Sequence, residues 1–203
     1  SPVCESQPCV VWAQSSKALQ CTVCLCGIHP LFCHLQYKVI MIFIALGANL
    51  PSKDYGSPRE TLLGAIKALE AKGVFVEARS RWYESAAYPP SDQPDYVNAV
   101  IAVKTDLPPR KLLSVLHAVE RGFGRVRHER NEARVVDLDL IDYHGEVVND
   151  ELIVLPHPRM HLRAFVLQPL ADIALSWRHP VLAKTTTELI EELLDDGTAK
   201  VID

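Results

Sequence analysis

Residues 34–203 contain no cysteine; all six, Cys4, Cys9, Cys21, Cys24, Cys26 and Cys33, stand in the first 33 positions. A disulfide framework normally spreads through the domain it staples, so the main body reads as a protein of a reducing compartment, the cytoplasm. Long apolar runs are also missing. The run "VIMIFIALGA" falls well short of the ~20 residues a membrane-spanning helix needs. A strong charge excess is absent: the formal net charge is -4, which gives no bulk electrostatic argument for nucleic acid or a membrane surface. No Gly-rich lysine loop of the Walker type is present, which argues against a P-loop nucleotidase. Nothing repeats at a solenoid period. What is there, 203 residues with 48% hydrophobic and 23% charged, fits one soluble globular domain with a substantial core.

Residues 1–40 differ in kind from the rest and show no sustained helical or strand period. Cys21, Cys24, Cys26, His29, Cys33 and His34 carry zinc-ligating atoms, but their spacing matches no paired CxxC framework. A targeting peptide would need its apolar core nearer the start of the chain. The favoured reading is a disordered or non-native extension, with the functional domain running from Met41 to residue 203.

From Met41 the pattern becomes regular. "MIFIALGANLPS" reads as a strand ending in a Gly/Asn turn. In "SPRETLLGAIKALEAKG", Ser57 is an N-cap, Pro58 occupies the first helical position and Glu60 completes a capping box. "VFVEARSRWYES" and "DYVNAVIAVKT" read as strands, "LPPRKLLSVLHAVERGFG" as a second helix and "RVVDLDLIDY" as a fourth main strand. "GEVVND" suggests a short hairpin arm and "TTTELIEELLDDG" a C-terminal helix. The order β-α-β-β-α-β predicts an α+β, ferredoxin-like antiparallel sheet with its helices on one face, plus C-terminal additions.

The strongest local signal is in "RVVDLDLIDY". Side chains alternate along a strand, so Asp137 and Asp139 share one face while Val136, Leu138 and Leu140 share the other. Two carboxylates about 6.5 Å apart repel by about 2–3 kcal/mol at an effective dielectric near 20. Solvent, a neighbouring arginine or a metal ion has to offset this. One reading is a Mg²⁺ site, since Mg²⁺ is commonly held by one or two carboxylates plus substrate phosphates; the other is a solvated strand face with salt bridges. "GRVRHERNEAR" places Arg125, Arg127, Arg130 and Arg134 just before the pair, where they would grip phosphate oxygens or neutralise nearby carboxylates. "PHPRMHLRAF" supplies His157, Arg159, His161 and Arg163, either as further phosphate donors or as a surface turn leading into a helix. In "SDQPDYVNAV", Asn98 offers a donor and an acceptor to a planar heterocycle and Tyr96 a stacking ring, unless the two form an ordinary cross-strand pair.

"IALGANL", "DQPDYVNAV", "GRVR", "RVVDLDLI" and "LPHPRMHLRAFVL" stand in an order that resembles the 6-hydroxymethyl-7,8-dihydropterin pyrophosphokinase family, from Met41 to about Gly197. The resemblance implies a cytoplasmic, monomeric enzyme of folate biosynthesis. It would transfer pyrophosphate from ATP to the pterin hydroxymethyl group and release AMP, with Mg²⁺, two ions, as cofactor. The family's metal-binding aspartates fall on Asp137 and Asp139, its pterin-binding asparagine on Asn98 and its stacking aromatics on Tyr96 and Phe165. Ser85 matches a pterin-edge position. Arg125, Arg134, His157 and Arg163 match phosphate-contacting positions, Arg127 and Glu120 nucleotide-side positions, and Leu140 an adenine-side position. Arg125, Arg134, Asp137 and Asp139 would carry the catalytic burden. The chain departs from the family in "RNEAR", which lacks an aromatic and Gly-Pro before the arginine, and in the loop "SAAYPPSDQP". Two other readings remain at this level: a Mg²⁺-dependent nucleotidyltransferase, which would release pyrophosphate, and a non-catalytic ferredoxin-like binding module.

Overall fold

A computed structural model describes residues 41–87, 90–124, 133–193 and 199–202. Residues 1–40, with their cysteines, lie outside the described residues, as do Arg125, Arg127 and Arg130.

β1 (Ile42–Ala48) pairs antiparallel with β4 (Tyr96–Lys104) on one side and β5 (Asp137–Tyr143) on the other. α1 (Pro58–Glu70) begins at the expected capping box: the Glu60 carboxylate accepts from the Ser57 amide at 2.8 Å, and the Ser57 hydroxyl accepts from the Glu60 amide at 3.4 Å. Together these satisfy two of the orphan N–H groups at a helix start. The stretch expected as one strand splits into β2 (Phe75–Arg79) and β3 (Tyr83–Ser85), both paired with β4. Ser80 causes the break. Its amide donates to the Val100 carbonyl at 2.9 Å, while its hydroxyl, rather than a backbone carbonyl, accepts from the Val100 amide at 3.0 Å. α2 (Pro109–Gly122) leads toward β5, and β6 (Val148–Asn149) with β7 (Val154–Leu155) forms a small hairpin arm. A 3₁₀ turn at Met160–Leu162 enters α3 (Ala164–Ala174); α4 (Thr186–Glu191) and β8 (Lys200–Val201) follow.

The sheet order is β5-β1-β4-β3-β8, with β2 also on β4, and every ladder named is antiparallel. α1 and α2 pack on one face, where Leu62, Leu69, Leu112 and Leu116 meet Ile44, Ile101 and Leu138. The expectation of helices on one face holds for these two alone. α3 and α4 cover the opposite face, where Val166, Leu170 and Leu189 meet Phe43, Val100 and Ile141. β1 and β4 require this second cover, because they are apolar on both faces. A register shift on β1 between Phe43 and Ile44 sets Ile44 opposite Leu140 and Phe43 opposite Asp142. Ile141 is the extra residue, so Ile141 and Asp142 both face the α3 side, Asp142 accepting from the Trp177 indole at 3.2 Å, while Tyr143 returns to the core under α1 and α2. Asp172 ties α3 to the β3 edge, accepting from the Arg81 amide at 3.0 Å, the Arg81 guanidinium at 2.6 Å and the Tyr83 hydroxyl at 3.0 Å. Among the described residues no helix is long and apolar enough to cross a membrane.

Candidate active site

The sheet face under α3 is only partly covered. Beyond the start of that helix, β1, β4 and β5 expose a row of three residues. Gly47 is paired with Asn98 on one side and Asp137 on the other. In the adjoining row Ala45 is paired with Val100 and Asp139. A cavity of about 700 Å³, its open mouth included, lies over these rows. Asp137, Asp139, Arg134 and Arg163 supply its charged lining. Ser85, Tyr96, Asn98 and Phe165 also line it, so eight of the residues singled out in the sequence converge on one space.

The charges answer one another. The Arg134 guanidinium lies 2.9 Å from Asp137, while Arg163 approaches Asp139 at 3.6 Å and His157 Nε2 approaches it at 3.9 Å. Neighbouring arginines therefore answer the like-charge problem at both aspartates. Burial works to lower the Arg134 pKa, but Asp137 outweighs it and the net shift is upward. Burial lowers the Arg163 pKa, with Asp139 opposing and Arg159 adding to the fall. His157 is pushed down to about 4, by burial first and then by Arg163 and Arg159. Burial therefore favours the neutral form of this ring. Its Nδ1 accepts from the Arg159 amide at 3.3 Å, which places the proton of a neutral ring on Nε2, 3.9 Å from Asp139 and beyond hydrogen-bond length of it.

The other side of the cavity is held by local bonds. Asn98 is buried, and its amide nitrogen donates to the Ser85 hydroxyl at 3.0 Å and the Tyr96 carbonyl at 3.2 Å. This turns Oδ1 toward the floor, 3.5 Å from where a Cβ on Gly47 would stand. The Arg163 guanidinium lies 5.5 Å from the centre of the Phe165 ring, within cation–π range.

Three of the expected ATP-binding residues, His157, Leu140 and Glu120, do not line the cavity. Leu140 is 4% exposed and belongs to the core under α1 and α2. Glu120 is buried on α2, and its carboxylate accepts from the Leu138 amide at 2.9 Å. It thus braces β5 between the two aspartates. Arg125 and Arg127 lie outside the described residues. Gly47 and Asn49 also belong to the site, and their signal in the sequence is a glycine and an asparagine closing the apolar strand "IALGANL".

The family model of 7,8-dihydro-6-hydroxymethylpterin-pyrophosphokinase (HPPK) matches residues 43–175. The chain belongs to this family. It is 41% identical over 151 residues to the 2-amino-4-hydroxy-6-hydroxymethyldihydropteridine pyrophosphokinase of Synechocystis, covering 74% of each chain. The same-named Haemophilus influenzae enzyme is 38% identical over 164 residues, or 80% of this chain and 99% of that one. The wild-type Plasmodium falciparum HPPK-DHPS with SDX-DHP superposes with a TM-score of 0.55 at 13% identity, which bears on the fold alone. That match covers 75% of this chain, and this chain spans only 43% of the Plasmodium one. The pyrophosphokinase transfers pyrophosphate from ATP to hydroxymethyldihydropterin in folate synthesis, with ATP as co-substrate.

Proposed function

We propose that the transfer runs in this one cavity, with pterin and polyphosphate held over the neighbouring sheet rows. Tyr96 and Phe165 sandwich the pterin ring, Asn98 Oδ1 accepts from its amide edge, and Ser85 fixes the Asn98 rotamer. Arg134, Arg163 and the His157 Nε2–H bind the β- and γ-phosphates, joined by Arg125 and Arg127 from the segment outside the described residues. Glu120 and Leu140 act on the nucleotide side by shaping β5. The observation that carries this reading is the pairing of Gly47 with both Asn98 and Asp137. It sets a heterocycle-binding amide and a carboxylate on opposite flanks of one small residue.

Asp137 and Asp139 fit Mg²⁺. Their carboxylates share a strand face, open on the cavity and remain 24% and 37% exposed. Among the described residues no cluster of three His, Cys, Asp or Glu side chains forms a fuller cage. That donor set suits an ion that keeps water and takes phosphate oxygens as ligands, two ions in this reading. When bound, Mg²⁺ would neutralise charge on the phosphates.

The chemistry rests on alignment and charge. The hydroxymethyl oxygen forms a bond to the β-phosphorus as the bond from that phosphorus to the α–β bridging oxygen breaks. The electron pair leaves with AMP, and the alcohol proton passes to solvent. Arg134 and Arg163 stabilise the charge that builds on the transferring oxygens. The strand order β5-β1-β4-β2/β3 supports reading the sheet as ferredoxin-like, with β8 an addition. A cytoplasmic location agrees with the cysteine-free residues 34–203, and the enzyme is read as a monomer.

Product analysis with ATP, Mg²⁺ and hydroxymethyldihydropterin tests the reading. AMP and pterin diphosphate should form in equal amounts and only with the metal. ADP would mean attack at the γ-phosphorus. Free pyrophosphate would mean attack at the α-phosphorus, as in a nucleotidyltransferase. Binding without turnover would leave a non-catalytic module.

A further inference from the structure

We infer that Asn49 is a positioning residue that ties the pterin side of the cavity to its phosphate side. The inference rests on the division of the cavity proposed above. Asn49 follows β1 directly and is 2% exposed. Its Oδ1 accepts from the Arg134 amide at 2.8 Å, and its own amide and that of Leu50 donate to the Arg134 carbonyl at 3.1 and 3.3 Å. Its Nδ2 donates to the Pro94 carbonyl at 3.1 Å and to Gln93 Oε1 at 3.3 Å. Gln93 Oε1 also accepts from the Tyr96 hydroxyl at 3.3 Å. One buried carboxamide therefore holds the main chain of the residue paired with Asp137 and, through its other end, the loop that sets the Tyr96 ring.

The two ends of the amide do different work. An acceptor is needed toward Arg134 and a donor toward Pro94, and the carboxamide offers them on two separate atoms, as a hydroxyl or a carboxylate does not. Asn49→Asp keeps the acceptor and removes the donors. Gln93 can turn its own amide to meet the new oxygen, but the Pro94 carbonyl cannot, so two acceptors then face each other in a buried place. Loss of a buried donor of this kind costs enough to move an affinity about tenfold. Asn49→Asp should therefore release the pterin-side loop and leave Arg134 held. Asn49→Ala should release both.

The test is calorimetric titration of the full chain with hydroxymethylpterin, and separately with a non-hydrolysable ATP analogue plus Mg²⁺, beside thermal melts of each variant. Asn49→Asp should weaken pterin binding about tenfold and change nucleotide binding less than about twofold. Asn49→Ala should weaken both. Asn98→Ala serves as the control for the site itself. If Asn98→Ala weakens pterin binding and Asn49→Asp does not, the tether is overturned and the site reading stands. If neither variant weakens it, both fall. Equal loss of both ligands in Asn49→Asp, with a lowered melt, would mark a general packing role and likewise overturn the tether.

Discussion

Arg134 and Asp137, three residues apart on the approach to β5 and at its first position, form a 2.9 Å ion pair at the mouth of the cavity. Both side chains are largely shielded, 19% and 24% exposed. The site thus carries its own partial neutralisation. In the function proposed above, ligand binding would exchange this pair for phosphate on Arg134 and metal on Asp137. Arg134→Ala should lower kcat by about 10²-fold or more, as removal of a transition-state donor does. Arg134→Lys should recover only part of this, because a point charge does not reproduce the planar fork. Steady-state rates at saturating ATP would check it, and near-normal turnover of Arg134→Ala would remove the residue from the chemistry.

Asp137→Asn and Asp139→Asn should each cut turnover at least about 10²-fold, since an amide keeps the shape but gives no charge to a cation. Repulsion between the carboxylates taken alone would make both variants more stable than the parent. The ion pairs alter that. Asp137→Asn strips a shielded Arg134 of a 2.9 Å partner, whereas the contacts of Asp139 with Arg163 and His157 are longer, at 3.6 and 3.9 Å. Asp137→Asn should therefore be the less stable of the two, by about 1 kcal/mol in urea unfolding. Equal midpoints would mean the pair is energetically idle.

Much of this site was legible because its signals are local. The alternation around Asp137 and Asp139 and the capping box at Ser57 and Glu60 depend on neighbours within four residues, and both stand as read. What escaped depends on partners far along the chain. α3 carries Pro169, which removes a helical hydrogen bond, and its place on the sheet is set by Asp172 reaching Arg81 and Tyr83. Nothing near "VFVEARSRWYES" announces that Ser80 will take Val100 with its hydroxyl. Leu140 illustrates the converse. Its match to a family position was clear, yet strand parity turns its side chain into the core and away from the cavity.

A chain starting at Met41 should fold and turn over like the full one. The family match begins at residue 43, and the β1 ladder begins at Ile42. Parallel melts and kinetic constants for the two chains would decide this. A loss of activity on truncation, or stoichiometric zinc in the full chain, would give residues 1–40 a role.

His157 and His179 should both make the fold sensitive to acid. Each is pushed down to about 4, by burial above all, from an ordinary value near 6.5. The unfolded chain then binds protons between about pH 6.5 and 4 that the folded chain refuses, so stability is full above that window and falls as pH drops through it. His157→Gln and His179→Gln should each flatten the decline in unfolding free energy between pH 6.5 and 4. Glutamine also keeps an N–H toward Asp139, so His157→Gln should leave the activity profile between pH 6 and 8 unchanged in shape. A rate step near pH 6.5 that disappears in that variant would show the ring titrating in the enzyme, against this assignment.

Gly47→Ala separates the cavity from the fold most cleanly. A Cβ there would meet Asn98 Oδ1 at 3.5 Å, the Asp137 Cβ at 3.9 Å and the Tyr96 ring at 4.0 Å, all ordinary contact distances, and the backbone is not in the left-handed region. The protein can accept the methyl group without moving. Its melting temperature should hold or rise slightly, since alanine restricts the unfolded chain more than glycine. The methyl would nevertheless stand on the cavity floor between the Asn98 amide proposed to read the pterin and the Asp137 carboxylate proposed to hold the metal. A substrate lying across that row meets it directly, and a misplacement of about 1 Å at the reacting atoms costs about 10²-fold. The expected result is a pterin KM raised about tenfold or more together with a lower kcat, in a protein whose melt matches the parent. If Gly47→Ala keeps both constants, the reacting groups do not meet over Gly47, and the roles given to Asn98 and Asp137 on its two flanks lose their common geometry.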